Sequence, residues 1–235
     1  MSESVCLISA KGGVGKTTFA INLASSLRYY GIESIIVDAD FLNPCVALHL
    51  GFPNLAKTLN SAISGKFNVL DCTFKHNSGV KFIPTSTRNQ DYNNLLVSNL
   101  GLHINILKQK TNLVILDSAE DPYHQFHTIN FADHVIAVCT PSNISVHNTQ
   151  KLIERVKSFG SNVNGIIINK HIGDEFDVSL QEIETKLGIP VLGVIPYDES
   201  VRQARQLKHP VVFSHPESKS ATSFRRIAVS LLGRW

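Results

Sequence analysis

Several features that would point to particular functional classes are missing from this chain of 235 residues. It has no large excess of one charge. Its 22 Lys and Arg stand against 19 Asp and Glu, a formal net charge of +3. Global charge therefore argues neither for nor against a nucleic-acid partner. No apolar run approaches the ~20 residues that a membrane-spanning helix needs. Ser2-Glu3-Ser4 offers no positive region ahead of the short apolar run that follows, so no secretory signal is expected. Cys6, Cys45, Cys72 and Cys139 are scattered and none forms a CxxC. That pattern indicates neither a disulfide framework nor a paired-thiolate metal site, and a reduced, cytoplasmic protein is expected. Linkers, low-complexity stretches and internal repeats are lacking as well. One domain over residues 1–235 is expected, long enough to bury a sizeable core.

Histidine, by contrast, is plentiful. His124 and His127 stand three apart, with His134 nearby, a spacing that could suit a metal. No cysteine or second carboxylate pair supports that use, and surface or packing roles are the reading adopted.

One stretch organises the rest. Lys11 to Thr18 reads KGGVGKTT, directly after the apolar Val5-Cys6-Leu7-Ile8. It fits G-x-x-x-x-G-K-[ST] except that Ala10 replaces the first glycine. A strand, a glycine-rich turn and a helix in that order form a phosphate-binding loop. Gly12, Gly13 and Gly15 let the backbone turn tightly and bring the N–H groups of Gly12, Gly13, Val14, Gly15, Lys16, Thr17 and Thr18 toward oxyanions. The helix opening near Lys16 adds its positive end. Lys16 is expected to reach the β- and γ-phosphates, and the Thr17 hydroxyl to ligate Mg²⁺.

The rest of the chain alternates strand and helix. Strands are expected at Val5–Ala10, Ser34–Asp38, Lys81–Pro84, Asn112–Asp117, Ala132–Thr140, Asn164–Lys170 and Val191–Pro196, each mostly apolar as in a buried parallel sheet. Helices are expected at Thr17–Tyr30, Ile144–Phe159, Val178–Leu187, from Asp198 to about Lys208, and at Lys219–Leu232. Shorter helical candidates are Ala47–Gly51 and Leu55–Ser64. Asp91–Lys108 reads as a helix broken around Gly101, and Phe67–Gly79 as a surface excursion. The fold class is therefore α/β, a single P-loop NTPase domain with a mostly parallel twisted sheet and helices on both faces.

Two strands end in carboxylates. Asp38-Ala39-Asp40 follows the second strand, and Asn112–Asp117 has the form of a Walker B segment. Ligands in such sheets bind at the carboxyl ends of strands, so Asp38, Asp40 and Asp117 are well placed for Mg²⁺ and water. The alternative for the first two is a helix-cap or turn aspartate.

Lys11 makes the motif more specific, because an ordinary phosphate loop needs no cation there. The whole string resembles the deviant Walker A motif of the MinD/ParA ATPases, and the resemblance extends over nearly the whole chain, most of all to the compact archaeal MinD-like proteins. It implies ATP and Mg²⁺ as ligands, and a homodimer formed around ATP, with Lys11 crossing to the partner's nucleotide. It implies that Asp38 and Asp117 support the metal and that Asp40 positions the attacking water. It places Asn169 at the adenine and Pro196, Tyr197 and Asp198 in the loop over the base. It also implies a protein partner or activator, of unknown identity. Two departures stand out. The run after the Walker B carboxylate is Asp117-Ser118-Ala119-Glu120-Asp121-Pro122, without the family's glycine and with two added carboxylates. And Phe224, Ile227, Ala228, Leu231, Leu232 and Trp235 share a face of the last helix, with Arg225, Arg226 and Arg234 among the others. That stripe reads as core-facing, with peripheral membrane contact as the alternative.

Three functions share this chemistry. The first is a MinD-like switch that positions a partner assembly. The second is a ParA-like partitioning ATPase binding DNA non-specifically through Arg202, Arg205, Lys208, Arg225 and Arg226. The third is a metal-cluster or nickel-insertion ATPase, for which paired cysteines would be wanted.

Overall fold

The computed structural model describes residues 2–88 and 99–233. Its elements in chain order are β1 (Glu3–Ile8), α1 (Lys16–Tyr29), β2 (Ser34–Ala39), α2 (Val46–His49), α3 (Leu59–Ile63), β3 (Phe74–Lys75), β4 (Lys81–Ile83), α4 (Leu100–Lys108) and β5 (Leu113–Ser118). There follow α5 (Pro122–Ile129), β6 (His134–Cys139), α6 (Asn143–Ser158), β7 (Gly165–His171), α7 (Leu180–Leu187), β8 (Val191–Pro196), α8 (Glu199–Gln206), α9 (Val211–Ser214) and α10 (Lys219–Leu232).

The strands form one sheet of eight in the order β3-β4-β2-β5-β1-β6-β7-β8. Every pairing is parallel except β3 with β4 at the edge. β1 lies between β5 and β6, so the loop leaving it opens in the middle of the sheet's carboxyl edge, where such sheets take ligands.

Alternation along β1 divides the core. Cys6 and Ile8 face a layer that includes Leu100, Ile104, Val156 and Ile183. Val5 and Leu7 face a layer that includes Phe19, Leu23, Leu27, Phe224 and Leu231. Both faces are covered, which is why these strands carry apolar residues at nearly every position. On the second face α1 packs against α10, with the Phe19 and Phe224 rings 6.2 Å apart. Phe224, Ile227, Ala228 and Leu231 are buried there, each large side chain contributing about 1.5–3 kcal/mol. The apolar stripe of α10 is thus core over these positions; Arg234 and Trp235 lie outside the described residues.

Some local expectations change. Phe67–Gly79 is not a plain excursion. It holds a 3₁₀ turn at Val69–Cys72 and the edge strand β3, whose Phe74 stands opposite Phe82. A two-residue strand is too short for any periodicity to reveal. Gly101 lies in the first turn of α4 without breaking it, and residues 91–98 of that expected helix fall outside the described residues. α5 and α9 were not expected. α5 begins with Asp121 as its cap, accepting from the His124 N–H, and with Pro122 at the first helical position.

Candidate functional site

The phosphate loop takes its shape from Gly15, whose φ of 97° is a left-handed conformation that favours glycine. A methyl group there would also stand 2.2 Å from Asn169 Nδ2. Phe19 N–H makes the first helical bond, to Gly15 C=O at 2.8 Å. The N–H groups of Gly15, Lys16, Thr17 and Thr18 therefore precede the helical ladder, as orphan donors at a positive helix end.

Lys16 is buried, and its Nζ donates to Asp117 Oδ1 at 3.0 Å and to the Ser118 carbonyl. Thr17 Oγ1 donates to the other oxygen of Asp117 at 2.6 Å and lies 3.2 Å from Cys45 Sγ. A cation and a hydroxyl from the loop thus meet one carboxylate from β5, although about a hundred residues separate them. Burial works against the charge on Lys16. The charge and hydrogen bond of Asp117, then the charge of Asp40, outweigh it and hold the amine above its usual range.

Asp38 and Asp117 are direct neighbours in the register of β2 and β5. Burial first, then the Asp117 carboxylate, drives Asp38 well above the ordinary carboxyl range. Its oxygens accept from the N–H groups of Cys45 and Val46, both at 3.0 Å, and of Asp40 at 3.3 Å. Asp38 thereby tethers the start of α2. Asp40 Oδ1 accepts from Leu42 N–H at 3.1 Å and Asn43 N–H at 2.8 Å, a turn built on its own side chain. Both aspartates make cap or turn bonds, and Asp40 in addition faces the cavity described next.

That cavity, of about 540 Å³, gathers most of the residues singled out in the sequence. Lys11, Gly13, Val14, Gly15, Lys16, Thr17, Thr18 and Asp40 line it from the loop and β2. Asn169, Pro196, Tyr197 and Asp198 line it from β7 and beyond β8. Gly12 lies in the loop itself, against the Glu120 carboxylate. Asp38 and Asp117 sit beneath, each 1% exposed.

Among the described residues, the far side is held without any buried pair of opposite charges. Asn169 Nδ2 donates to the Val14 carbonyl at 2.7 Å, and its Oδ1 accepts from Lys170 N–H. Lys170, at φ 60°, extends its Nζ to the Gly13 carbonyl at 2.6 Å. Asp198 accepts from Ser200 N–H at 2.9 Å and from Ser220 N–H and Oγ at 3.0 and 2.9 Å. Burial opposes its ionisation, but the backbone donors of Ser220 and Ser200 and their hydroxyls outweigh it and bring Asp198 down to about 2. Its carboxylate therefore clasps α8 to α10, while the residue also borders the cavity.

Sequence reasoning missed Lys170, Gln125, His49 and Cys45. Only Lys170 carried a signal, as the neighbour of Asn169. Gln125 is buried, and its Nε2 donates to the carbonyls of Ser9 at 3.2 Å and Ala119 at 3.0 Å, stapling the loop after β1 to the segment after β5. Cys45 is a protonated thiol, pushed up to about 12 by burial and then by Asp117 and Asp38.

The other candidates are engaged elsewhere. His124 Nδ1 lies 2.7 Å from Asp121 Oδ1, and His134 Nε2 lies 3.5 Å from Glu3 Oε2. Among the described residues no three His, Cys, Asp or Glu side chains form a metal-holding group. Cys6, Cys72 and Cys139 are buried and unbridged. Arg202 and Arg205 line the cavity, whereas Arg225 lies over the Tyr29 ring at 5.6 Å. No helix among the described residues is long and apolar enough to cross a membrane.

Comparison with known proteins places the chain in a family. Residues 5–211 match the model of the CobQ/CobB/MinD/ParA nucleotide binding domain. An uncharacterized ATP-binding protein of Methanocaldococcus jannaschii is 30% identical over 99% of this chain and 89% of its own length. The cell division ATPase MinD of Pyrococcus furiosus superposes with a TM-score of 0.92 at 25% identity, all of both chains being covered. The septum site-determining protein MinD of Pyrococcus horikoshii, solved with Mg-ADP, gives 0.90 at 26% identity, covering 98% of this chain and 96% of its own.

Proposed function

Because the chain belongs to the CobQ/CobB/MinD/ParA nucleotide-binding family, we propose that it is a slow, Mg²⁺-dependent ATPase that acts as a MinD-like switch, dimerising around ATP and regulating the placement of a partner assembly. The observation that carries the reading is the convergence of Lys16 and Thr17 on Asp117 at the mouth of a loop with orphan N–H donors. The P. horikoshii relative bound to Mg-ADP supports the choice of ligand.

The residues fit that ligand. Thr17 Oγ1 and the Asp117 carboxylate are hard oxygen donors already 2.6 Å apart, the kind of group Mg²⁺ takes alongside substrate phosphates. Bound there, Mg²⁺ would neutralise charge on the terminal phosphates. Lys16 exchanges part of its contact with Asp117 for phosphate oxygens, and the orphan N–H groups receive the rest of the polyphosphate. Lys11, exposed at the loop's start, is free to reach a second copy's nucleotide. Asp40, fixed by the Leu42 and Asn43 N–H groups, orients the attacking water as a positioner. Asn169 and the Pro196–Asp198 segment border the base.

Light scattering with Mg-ATP and Mg-ADP tests this. A dimer is expected only with ATP, and Asp40→Ala is expected to retain it by blocking hydrolysis. A monomer in every condition, with ATP bound, would overturn the dimeric switch and the role of Lys11 in it.

A further inference from the structure

The sheet order gives the cavity a direction. β5 and β2 lie on one side of the phosphate loop and β7 and β8 on the other. Lys16 and Thr17, the residues that serve the terminal phosphates in such loops, both lean toward Asp117 on β5. The polyphosphate therefore ends on the β5 side, and Glu120 follows Asp117 by three residues there.

The backbone around Glu120 is held from both sides. The Ala119 carbonyl is bonded by the buried Gln125, and Asp121 is the cap of α5 with Pro122 behind it. Asp121 is thereby turned to its own helix and to His124, so of the two added carboxylates only Glu120 lines the cavity. Its side chain rests on the loop. A methyl group built on Gly12 would lie 2.6 Å from Glu120 Oε1 and 2.8 Å from Oε2. Glu120 is exposed and makes no hydrogen bond or ion pair with the described residues. An unpaired carboxylate thus lines the cavity against the phosphate loop, and a γ-phosphate received on that side would add a like charge that it repels.

We propose that Glu120 discriminates between nucleotides by phosphate number, its carboxylate weakening the hold on a triphosphate relative to a diphosphate. The inference rests on nucleotide binding at this site. Such a carboxylate narrows any preference of the site for ATP over ADP.

Titration calorimetry with Mg-ADP and with the non-hydrolysable Mg-AMP-PNP, on wild type, Glu120→Gln and Glu120→Ala, tests it. Both variants should tighten AMP-PNP by about tenfold, equivalent to ~1.4 kcal/mol, and leave ADP within about twofold. The gain should shrink at high salt, because the carboxylate is exposed. Equal shifts for both nucleotides, no shift, or weaker AMP-PNP binding would overturn the proposal, the last by making Glu120 a metal ligand. A wild type that binds neither nucleotide would instead overturn the nucleotide-binding reading itself.

Discussion

The two flanks of the phosphate loop are built on different principles. On the β5 and β2 side stand ionised or ionisable groups buried against one another, Asp117 and Asp40 acting on the charge of both Lys16 and Asp38. On the β7 and β8 side the loop is held by an amide and by a lysine on a carbonyl, and beside them a carboxylate clasps two helices. The first flank carries charges whose balance changes when a polyphosphate enters. The second is satisfied without a ligand. Substitutions on the first side should therefore strike nucleotide binding and stability together, and those on the second should have smaller effects on either.

The sharpest test of that contrast is Lys16→Met. It should abolish detectable nucleotide binding and, by leaving Asp117 buried without its cation, destabilise the protein by about 3–5 kcal/mol in urea unfolding. Adding Asp117→Asn should recover much of the stability and none of the binding. If the single variant unfolds like wild type, the buried pair is not the organising contact of that flank.

Gly15→Ala addresses the seam between the flanks. The left-handed φ and the 2.2 Å approach to Asn169 Nδ2 should together cost about 1–3 kcal/mol and weaken nucleotide binding. An Ala variant with unchanged melting and affinity would show the seam to be loose.

On the second flank, Asp198→Ala should lower stability by about 1 kcal/mol at neutral pH, a figure reduced for solvent screening at a partly exposed group. The sign follows from a carboxyl whose folded value, about 2, lies below its ordinary 3.8. Its contribution is present above about pH 4 and is lost as pH falls toward 2. The gap between wild type and variant should close over that window in acid titrations of unfolding.

Lys170→Met should have the smallest effect, raising the Kd for Mg-ADP by a few-fold through a less constrained Gly13. A loss as large as that of Lys16→Met would mean that Lys170 touches phosphate, and the contrast between the flanks would fail.

How much of this could be read beforehand follows from distance along the chain. The phosphate loop was legible because one short stretch holds its strand, turn, lysine, hydroxyl and helix start. Asp117 was legible because an apolar run ending in a carboxylate is local too, and parallel strands bring such ends together. Alternation of strand and helix indicated the mostly parallel sheet. Gln125 was invisible, since nothing around it predicts that a helix absent from the sequence reading would carry its amide to Ser9 and Ala119. β3 is two residues long and owes its existence to Phe82 across from it. The presence of Glu120 was plain in the sequence, but its resting place on Gly12 depends on the cap and proline that start α5.

The pairing of α1 with α10 bears on how the molecule comes into being. The helix that carries the phosphate loop meets, through Phe19 and Phe224, a segment synthesised long after it. Contacts of such wide separation form late, because the intervening chain must be ordered first. A nascent chain therefore displays its loop sequence early, but the helix behind it lacks its neighbour until α10 leaves the ribosome. A nucleotide bound as proposed would add its binding energy only to that finished arrangement, and would act as a latch on the completed fold and not as a template for its assembly.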